Sequence, residues 1–326
     1  MAKALKSKTT QKVITEKKTV AVAEPMGRYI NPLTDFGFKY IFGTKEFLID
    51  FLNAVLKIEG GIADLQYDNT ERPGRSEDDR TTIFDLYCTL VNGEHILIEM
   101  QHHRHDNFVE RTLYYATRLI QEQGEDKKGD NNWQWNLKAV YSVNIINFKL
   151  DTSTKKRKNK GKYISYGHLK DDDNEVISDK LNFVFLELPY FTKKENELTN
   201  NIDWWTYVIK NMAKLNNLPD TLRNRIFEKL FLKAEIAKLS RKDRKEYDQS
   251  LKKLSDMNLI LRERDRKIEA LTKDNAEKDK RIAENVKRIA ELERKLGLNG
   301  ASAKPTPPGK VRARNSAKAR ATANTW

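Results

Sequence analysis

Residues 83–106 read IFDLYCTLVNGEHILIEMQHHRHD, with two apolar runs on either side of Asn92-Gly93. Apolar runs that flank a turn sequence of this type predict a β-hairpin. Each run also contains one carboxylate, Asp85 in the first and Glu99 in the second. A buried carboxylate is unfavourable unless it is paired or binds a cation, so the two acids indicate a functional site within the hairpin.

The length of the turn decides whether the two acids share a face of the sheet. A two-residue turn at Asn92-Gly93 pairs position 85 with position 100, which sends Asp85 and Glu99 to opposite faces. A three-residue loop that also includes Val91 pairs position 85 with position 99 instead. That loop needs positive φ at its third residue, where Gly93 stands. In this register Gln101, two residues beyond Glu99, lies on the same face.

Two carboxylates on one face repel each other unless a cation lies between them. Hard oxygen ligands suit Mg²⁺ or Mn²⁺, which keep coordination positions open for water and phosphate. The hairpin therefore predicts a site for metal-assisted phosphodiester hydrolysis, with Asp85 and Glu99 as the metal ligands. The alternative is a partly exposed sheet edge with ordinary surface acids, which the flanking apolar residues make less favourable.

The chain around the hairpin alternates helical and strand patterns, as in an α/β domain. Apolar residues between 38 and 56 have helical spacing that Gly43 divides, and a second helical pattern has apolar residues at 109, 113, 116 and 120. Residues 203–239 are largely helical, with a break near Pro219. Strand-like runs lie at 62–69, 137–148, 163–166 and 182–188.

Several segments, in this order, resemble one family of nucleases. They are NPLTDFGFKYIFG (31–43), FDLYC (84–88), LIEMQ (97–101), RTLYYATRL (111–119), FVFLELPYF (183–191) and DRKEYDQSLKKLSDMN (243–258). The arrangement resembles the PD-(D/E)XK nuclease fold and, over about residues 29–265, the recombination-promoting nuclease (Rpn) family of PD-(D/E)XK transposases. The resemblance implies a restriction-endonuclease-like αβββαβ core with a mixed sheet, Mg²⁺-dependent DNA cleavage, and a role in recombination or transposition.

The resemblance also assigns roles within the site. Asp85 and Glu99 match the metal carboxylates, while Gln101 matches a Glu-x-Gln variant and departs from the lysine of the wider fold. A glutamine side chain can form hydrogen bonds but carries no charge. An active site of this kind would therefore take its positive charge from Lys39 or Arg111.

Further candidates surround the hairpin. Asp35 is either an additional ligand through water or a helix-start acid favoured by the dipole. Arg111 contacts a phosphate, forms a salt bridge within the site, or forms a surface ion pair. His103, in the HHRH run at 102–105, is a candidate for DNA contact or general-base chemistry; the run could bind zinc, but no fixed fourth ligand is evident. A basic loop, KKRKNKGK at 155–162, either contacts phosphate or is merely solvated, and its candidates are Lys155, Lys156, Arg157 and Lys158.

A heptad pattern replaces these signals from about Tyr247. Position a is occupied by Leu254, Leu261, Ile268, Asn275, Ile282, Ile289 and Leu296, and position d includes Met257, Leu271 and Leu292. Ile or Leu at a with Leu at d favours a parallel two-stranded coiled coil, so we expect a homodimer through residues 247–296. Asn275 would fix the register, whereas the polar d residues make the seam imperfect: Arg264, Lys278 and Asn285. The alternative is one charged helix packed back on the domain.

Most of the formal net charge of +14 lies in two tails. Residues 1–24 carry six lysines and two glutamates, and residues 297–326 carry six basic residues and no acid, so together they hold +10. We expect disordered tails at 1–28 and 297–326, which either contact DNA phosphates or only solubilise the chain. Between them we expect a nuclease-like domain with a helical extension at 29–245 and a coiled coil at 246–296.

The remaining composition limits the class of protein. A single cysteine, Cys88, excludes an internal disulfide and a cysteine-based zinc finger. The sequence contains no run of 18 apolar residues, so it predicts no membrane span. No secretory signal is evident, so we expect a cytoplasmic, nucleoid-associated protein. The first hypothesis is a Mg²⁺-dependent DNA endonuclease. The second is a non-catalytic DNA-binding or assembly protein that retains the nuclease fold.

Overall fold

The structure of the protein is a computed structural model that describes residues 27–72, 82–105, 107–125, 135–150 and 162–297. The chain divides into two compact units, one up to Ser255 and one from Asp256 onward. Within the described ranges the α-helices are α1 (Asp35–Phe42), α2 (Lys45–Val55), α3 (Phe108–Glu125), α4 (Asn201–Asn211), α5 (Arg225–Lys233) and α6 (Arg241–Lys295). The strands in these ranges are β1 (Leu65–Tyr67), β2 (Glu71–Arg72), β3 (Thr82–Ile83), β4 (Leu86–Leu90), β5 (His95–Gln101), β6 (Val140–Ile146), β7 (Ile164–Lys170) and β8 (Val176–Glu187).

One mixed sheet of six strands has the order β1-β4-β5-β6-β8-β7. The strands β1, β4 and β5 are antiparallel neighbours, β5, β6 and β8 run parallel, and β7 is antiparallel to β8. Helix α3 connects β5 to β6, because parallel neighbours need a crossover connection. The succession α2-β1-β4-β5-α3-β6 matches the predicted αβββαβ core, and the fold is consistent with a PD-(D/E)XK nuclease.

The hairpin has the register of the three-residue loop. Leu86 lies opposite Ile98 and Thr89 lies opposite His95, so the pairing extends to Leu90 with Glu94. The backbone N–H of Leu90 donates to the carbonyl of Glu94 at 2.8 Å. Gly93 has a φ of 84°, the left-handed conformation that this loop requires. The predicted register is therefore confirmed.

The two faces of the sheet pack against different helices. On one face Ile96 and Ile98 join a large core that α1, α2, α4 and α5 also line. On the other face Leu97 packs with Ala116 and Leu119 of α3. Because side chains alternate along a strand, Glu99 shares the face of Leu97, and it is therefore buried on the side that α3 covers.

The first turns of α6 belong to the first unit. Tyr247 is only 2% exposed, and Ser250 is also buried. The Tyr247 hydroxyl accepts a hydrogen bond from the backbone N–H of Asn31 at 2.8 Å, and Ser250 Oγ accepts one from the backbone N–H of Phe36 at 3.2 Å. The start of the heptad segment thus fixes the segment that leads into α1.

In the second unit the described chain is helical from Asp256 to Lys295. Apolar residues of the predicted seam are exposed there, among them Ile268, Ile282 and Ile289. The long helix is present, whereas its pairing with a second helix stays a prediction. No helix in the described ranges has both the length and the apolar composition to cross a lipid bilayer.

Candidate active site

Asp85 lies directly before β4, where its carboxylate reaches the neighbouring strand. Its Oδ2 accepts a hydrogen bond from the backbone N–H of Met100 at 2.8 Å. Burial raises the pKa of the Asp85 carboxyl group, and the hydrogen bond from Met100 counteracts part of this effect. Asp85 is therefore fixed beside the strand that carries Glu99.

Glu99 is a buried acid on β5, the strand that pairs with β4. Its side chain belongs to a residue only 7% exposed, and Oε1 has no hydrogen-bond partner among the described residues. Burial raises the pKa of the Glu99 carboxyl group to about 8, and the charge of Asp85 acts in the same direction. The two carboxylates are thus close enough to repel each other, and the predicted juxtaposition is present.

This pair fits a small divalent cation in one specific respect. The buried, unpaired Glu99 Oε1 is an oxygen that a hard cation would satisfy. Mg²⁺ commonly uses one or two carboxylates and keeps several waters, so two acids suffice as protein ligands. No group of three or more His, Cys, Asp or Glu residues placed for a metal occurs within the described ranges, which include His102, His103 and His105.

Gln101 and Arg111 form a direct contact at the same end of β5. Arg111 Nη2 donates to Gln101 Oε1 at 2.7 Å. Arg111 lies in the first turn of α3, and its guanidinium carbon is 5.6 Å from the ring centre of Phe108 and 5.8 Å from that of Tyr115. The charge of Arg111 lowers the pKa of both Asp85 and Glu99, against the larger effect of burial, as expected for a cation near the acid pair.

Lys39 and Asp35 lie on α1 at the rim of the site. Lys39 Nζ contacts Asp35 Oδ1 at 2.8 Å, and the two side chains are 48% and 69% exposed. Their charges act on the Asp85 carboxyl group in opposite directions, with Lys39 lowering its pKa and Asp35 raising it. Asp35 is therefore near the site but is engaged by Lys39 rather than by the buried pair.

The histidine run follows β5 as a compact cluster. His102 Nδ1 and His103 Nδ1 are 3.4 Å apart, and Asn147 Nδ2 lies 3.3 Å from His102 Nε2. Burial lowers the pKa of His102 to about 4 and also lowers that of His103. These neutral imidazoles supply no positive charge near pH 7, so any DNA contact by His103 would be a hydrogen bond.

Tyr115 is a neighbour of the site that the sequence analysis missed. It lies one helical turn after Arg111 on α3, and burial raises the pKa of its hydroxyl. The charges of Glu99 and Asp85 contribute to this shift, which places the ring beside the acid pair. The helical spacing of Arg111 and Tyr115 was the available signal.

The basic-loop residues Lys155, Lys156, Arg157 and Lys158 lie outside the described residues, so their phosphate contact stays a prediction.

The mixed sheet, with two acids paired on its α3 face, is consistent with a nuclease-like fold of the PD-(D/E)XK class. A model of the PD-(D/E)XK nuclease family transposases matches residues 32–264, which is most of the chain, and the protein belongs to this family. Membership indicates a function related to nuclease activity or transposition. A search of curated proteins found no match, and a search of solved structures found none either.

Proposed function

We propose that this protein is a DNA endonuclease that depends on Mg²⁺ or Mn²⁺ and acts in recombination or transposition. The observation that carries the proposal is the acid pair on the α3 face of the sheet. Glu99 is buried beside Asp85, and its Oε1 has no hydrogen-bond partner within the described part of the chain. Two such charges are unfavourable in the free protein, and a bound cation would compensate both.

Each residue of the site would have a distinct role in cleavage. Asp85 and Glu99 would hold the cation, and the chemistry it supplies when bound is polarisation of a phosphate oxygen and a lower pKa for the attacking water. The Met100 N–H keeps the Asp85 carboxylate turned toward β5. Arg111 would donate to phosphate oxygens, and Lys39 at the rim would attract the DNA backbone.

The proposed enzyme is a parallel homodimer through residues 247–296 that works on DNA in the cytoplasm. The exposed apolar residues of α6 support the dimer, since Ile268, Ile282 and Ile289 recur at the a position on one side of the helix. Asn275 at another a position favours one register, because two amides can hydrogen-bond only when they lie side by side.

Nicking of supercoiled plasmid DNA tests the proposal. Wild-type protein should cut with Mg²⁺ or Mn²⁺ and not with EDTA, and Asp85→Asn and Glu99→Gln should cut no faster than the metal-free protein. Asp172→Asn is the matched control, because Asp172 is an exposed acid in the β7–β8 turn. Thermal unfolding of each variant establishes that it is folded. Cation-independent DNA binding without cutting by the wild type would favour the non-catalytic DNA-binding or assembly protein instead.

A further inference from the structure

Two cationic side chains, Lys39 and Arg111, lie near the acid pair, and they differ in whether a neighbouring acid neutralises their charge. Lys39 forms an ion pair with Asp35 at 2.8 Å, so much of its field is cancelled by the neighbouring acid. Arg111 contacts Gln101, a neutral side chain, and has no ion-pair partner among the described residues. Within the described part of the chain, no ion pair therefore neutralises the charge of Arg111, and that charge acts on the acid pair.

The contact with Gln101 also fixes the orientation of both side chains. A guanidinium only donates hydrogen bonds, so Gln101 must present its amide oxygen to Arg111, and its amide nitrogen points elsewhere. The rings of Phe108 and Tyr115 flank the same guanidinium. A planar cation held by one hydrogen bond and two ring contacts is preorganised, because it loses little further freedom when it binds an anion.

Arg111 reaches the site from a helix, whereas Gln101 reaches it from the strand that carries Glu99. Gln101 lies on β5, on the face it shares with Glu99, and Arg111 lies in the first turn of α3. The two side chains meet at 2.7 Å. A cationic side chain at position 101 would therefore lie beside the Arg111 guanidinium, and the two like charges would repel.

We infer that Gln101 and Arg111 act as one unit, in which Gln101 is a positioning residue that holds the Arg111 guanidinium as the fixed positive charge of the site. The ligand of this charge is a phosphate of the DNA backbone. The expected effect of this unit on the rate of cleavage rests on the proposed function. Its binding consequence does not require cleavage, since a guanidinium that contacts phosphate contributes to DNA affinity in either case.

Relocation of the charge tests the inference. Arg111→Gln should lower kcat by about 10²–10³-fold, the usual loss for one donor to developing charge. Gln101→Lys alone should also lower kcat, because it sets an ammonium group against the Arg111 guanidinium. The double variant Gln101→Lys/Arg111→Gln moves the positive charge from α3 to β5, and the side chain at position 101 becomes the hydrogen-bond donor. Its kcat should be at least about tenfold higher than that of Arg111→Gln, as expected for one restored charge contact.

Further variants separate positioning from folding. Gln101→Met keeps the volume but removes the acceptor, so it should lower kcat with little change in the melting temperature. Lys39→Gln should cost less than Arg111→Gln, because Asp35 already neutralises Lys39. Gln101→Lys that cuts faster than the wild type, or a double variant no better than Arg111→Gln, would overturn the inference.

DNA binding separates this inference from the proposed function. The affinity of each variant for a fluorescent duplex is measured in Ca²⁺ across a series of salt concentrations. Arg111→Gln should reduce the slope of log affinity against log salt by about one unit, and the double variant should recover it. If the wild type cuts no DNA, the proposed function fails and this binding series alone decides: an unchanged slope in Arg111→Gln overturns the inference, and a lost and recovered slope supports it.

Discussion

The backbone N–H of Met100 donates to Asp85 Oδ2 at 2.8 Å, so the acid before β4 is tied to the strand that bears Glu99. The contact exists because the hairpin loop has three residues and sets position 85 opposite position 99. The register of the β4–β5 hairpin and the pairing of the acids therefore both depend on this loop, in which Gly93 has a φ of 84°. Changes in that loop should act on the site from a distance.

Gly93→Ala should lower both stability and cleavage. A side chain at φ of 84° costs about 1–2 kcal/mol, and a Cβ there would lie 3.3 Å from the Lys138 side chain. Gly60→Ala is the matched control, because Gly60 has a φ of 76° with open space around it and lies outside the hairpin. Urea unfolding should show a loss for both variants, while only Gly93→Ala slows plasmid nicking. Equal nicking by the two variants would contradict the link between loop and site.

Glu99→Gln should stabilise the metal-free protein at alkaline pH. Its pKa is raised from 4.5 to about 8 in the folded state, so the folded protein binds more protons than the unfolded chain between these values. Stability therefore falls as pH rises from about 4.5 to about 8, and the glutamine removes this loss. Thermal unfolding in EDTA at pH 5 and pH 9 measures the effect.

The same variant tests the cation site without any nuclease assay. Mg²⁺ at pH 9 should raise the melting temperature of the wild type, because a ligand that binds only the folded state stabilises it. Glu99→Gln should show a much smaller rise, and Glu59→Gln, an exposed control, should behave like the wild type. A metal-independent melting temperature in the wild type would count against the Asp85–Glu99 site.

Tyr247→Phe should destabilise the first unit by about 1–3 kcal/mol, the cost of a buried donor left without its acceptor. The lost bond is the one from the Asn31 N–H to the Tyr247 hydroxyl. Tyr207→Phe is the control, because that hydroxyl makes no hydrogen bond among the described residues. Chemical denaturation compares the variants, and an unchanged midpoint for Tyr247→Phe would show that the start of α6 is not part of the folded core.

Removal of the chain from Asp256 onward should leave a folded, monomeric first unit. The cut must follow Ser255, because Tyr247 and Ser250 are buried in that unit. Ile268→Glu should also give a monomer, whereas Leu259→Glu should not, although the two residues are 52% and 53% exposed. Ile268 is at position a and Leu259 is off the seam. Light scattering measures the mass, and a truncated protein with the full-length oligomeric state would exclude the part of α6 from Asp256 onward as the dimer contact.

Deletion of residues 1–24 and 298–326 should weaken binding similarly for unrelated duplexes and flatten its salt dependence. The two deletions remove ten net positive charges, and counterion release makes such binding fall steeply with salt. Cleavage at saturating DNA should change little, since the proposed metal ligands Asp85 and Glu99 are outside the deleted segments. Anisotropy titrations at several salt concentrations test this, and an altered choice of DNA sequence would show that the tails read bases.

The sequence by itself predicted the hairpin and limited its loop to two lengths, one of which places the two acids on a shared face; the strand pairing in the structure is that of the three-residue loop. These follow from local rules: Gly93 permits the positive φ, and the alternation of side chains then places Asp85, Glu99 and Gln101 together. It also determined the break at Gly43 and the long helix, because helix ends and heptads depend on neighbours in the chain.

Only the tertiary structure decided how those acids are surrounded. The burial of Glu99 depends on α3 covering the sheet, and the charge of the site depends on Arg111 meeting Gln101 rather than solvent. The base of α6 joins Asn31 to Tyr247 across a separation of 216 residues. Local patterns specify which way a side chain points from its own strand or helix, but not which distant side chain it will meet, because that depends on how the whole core packs.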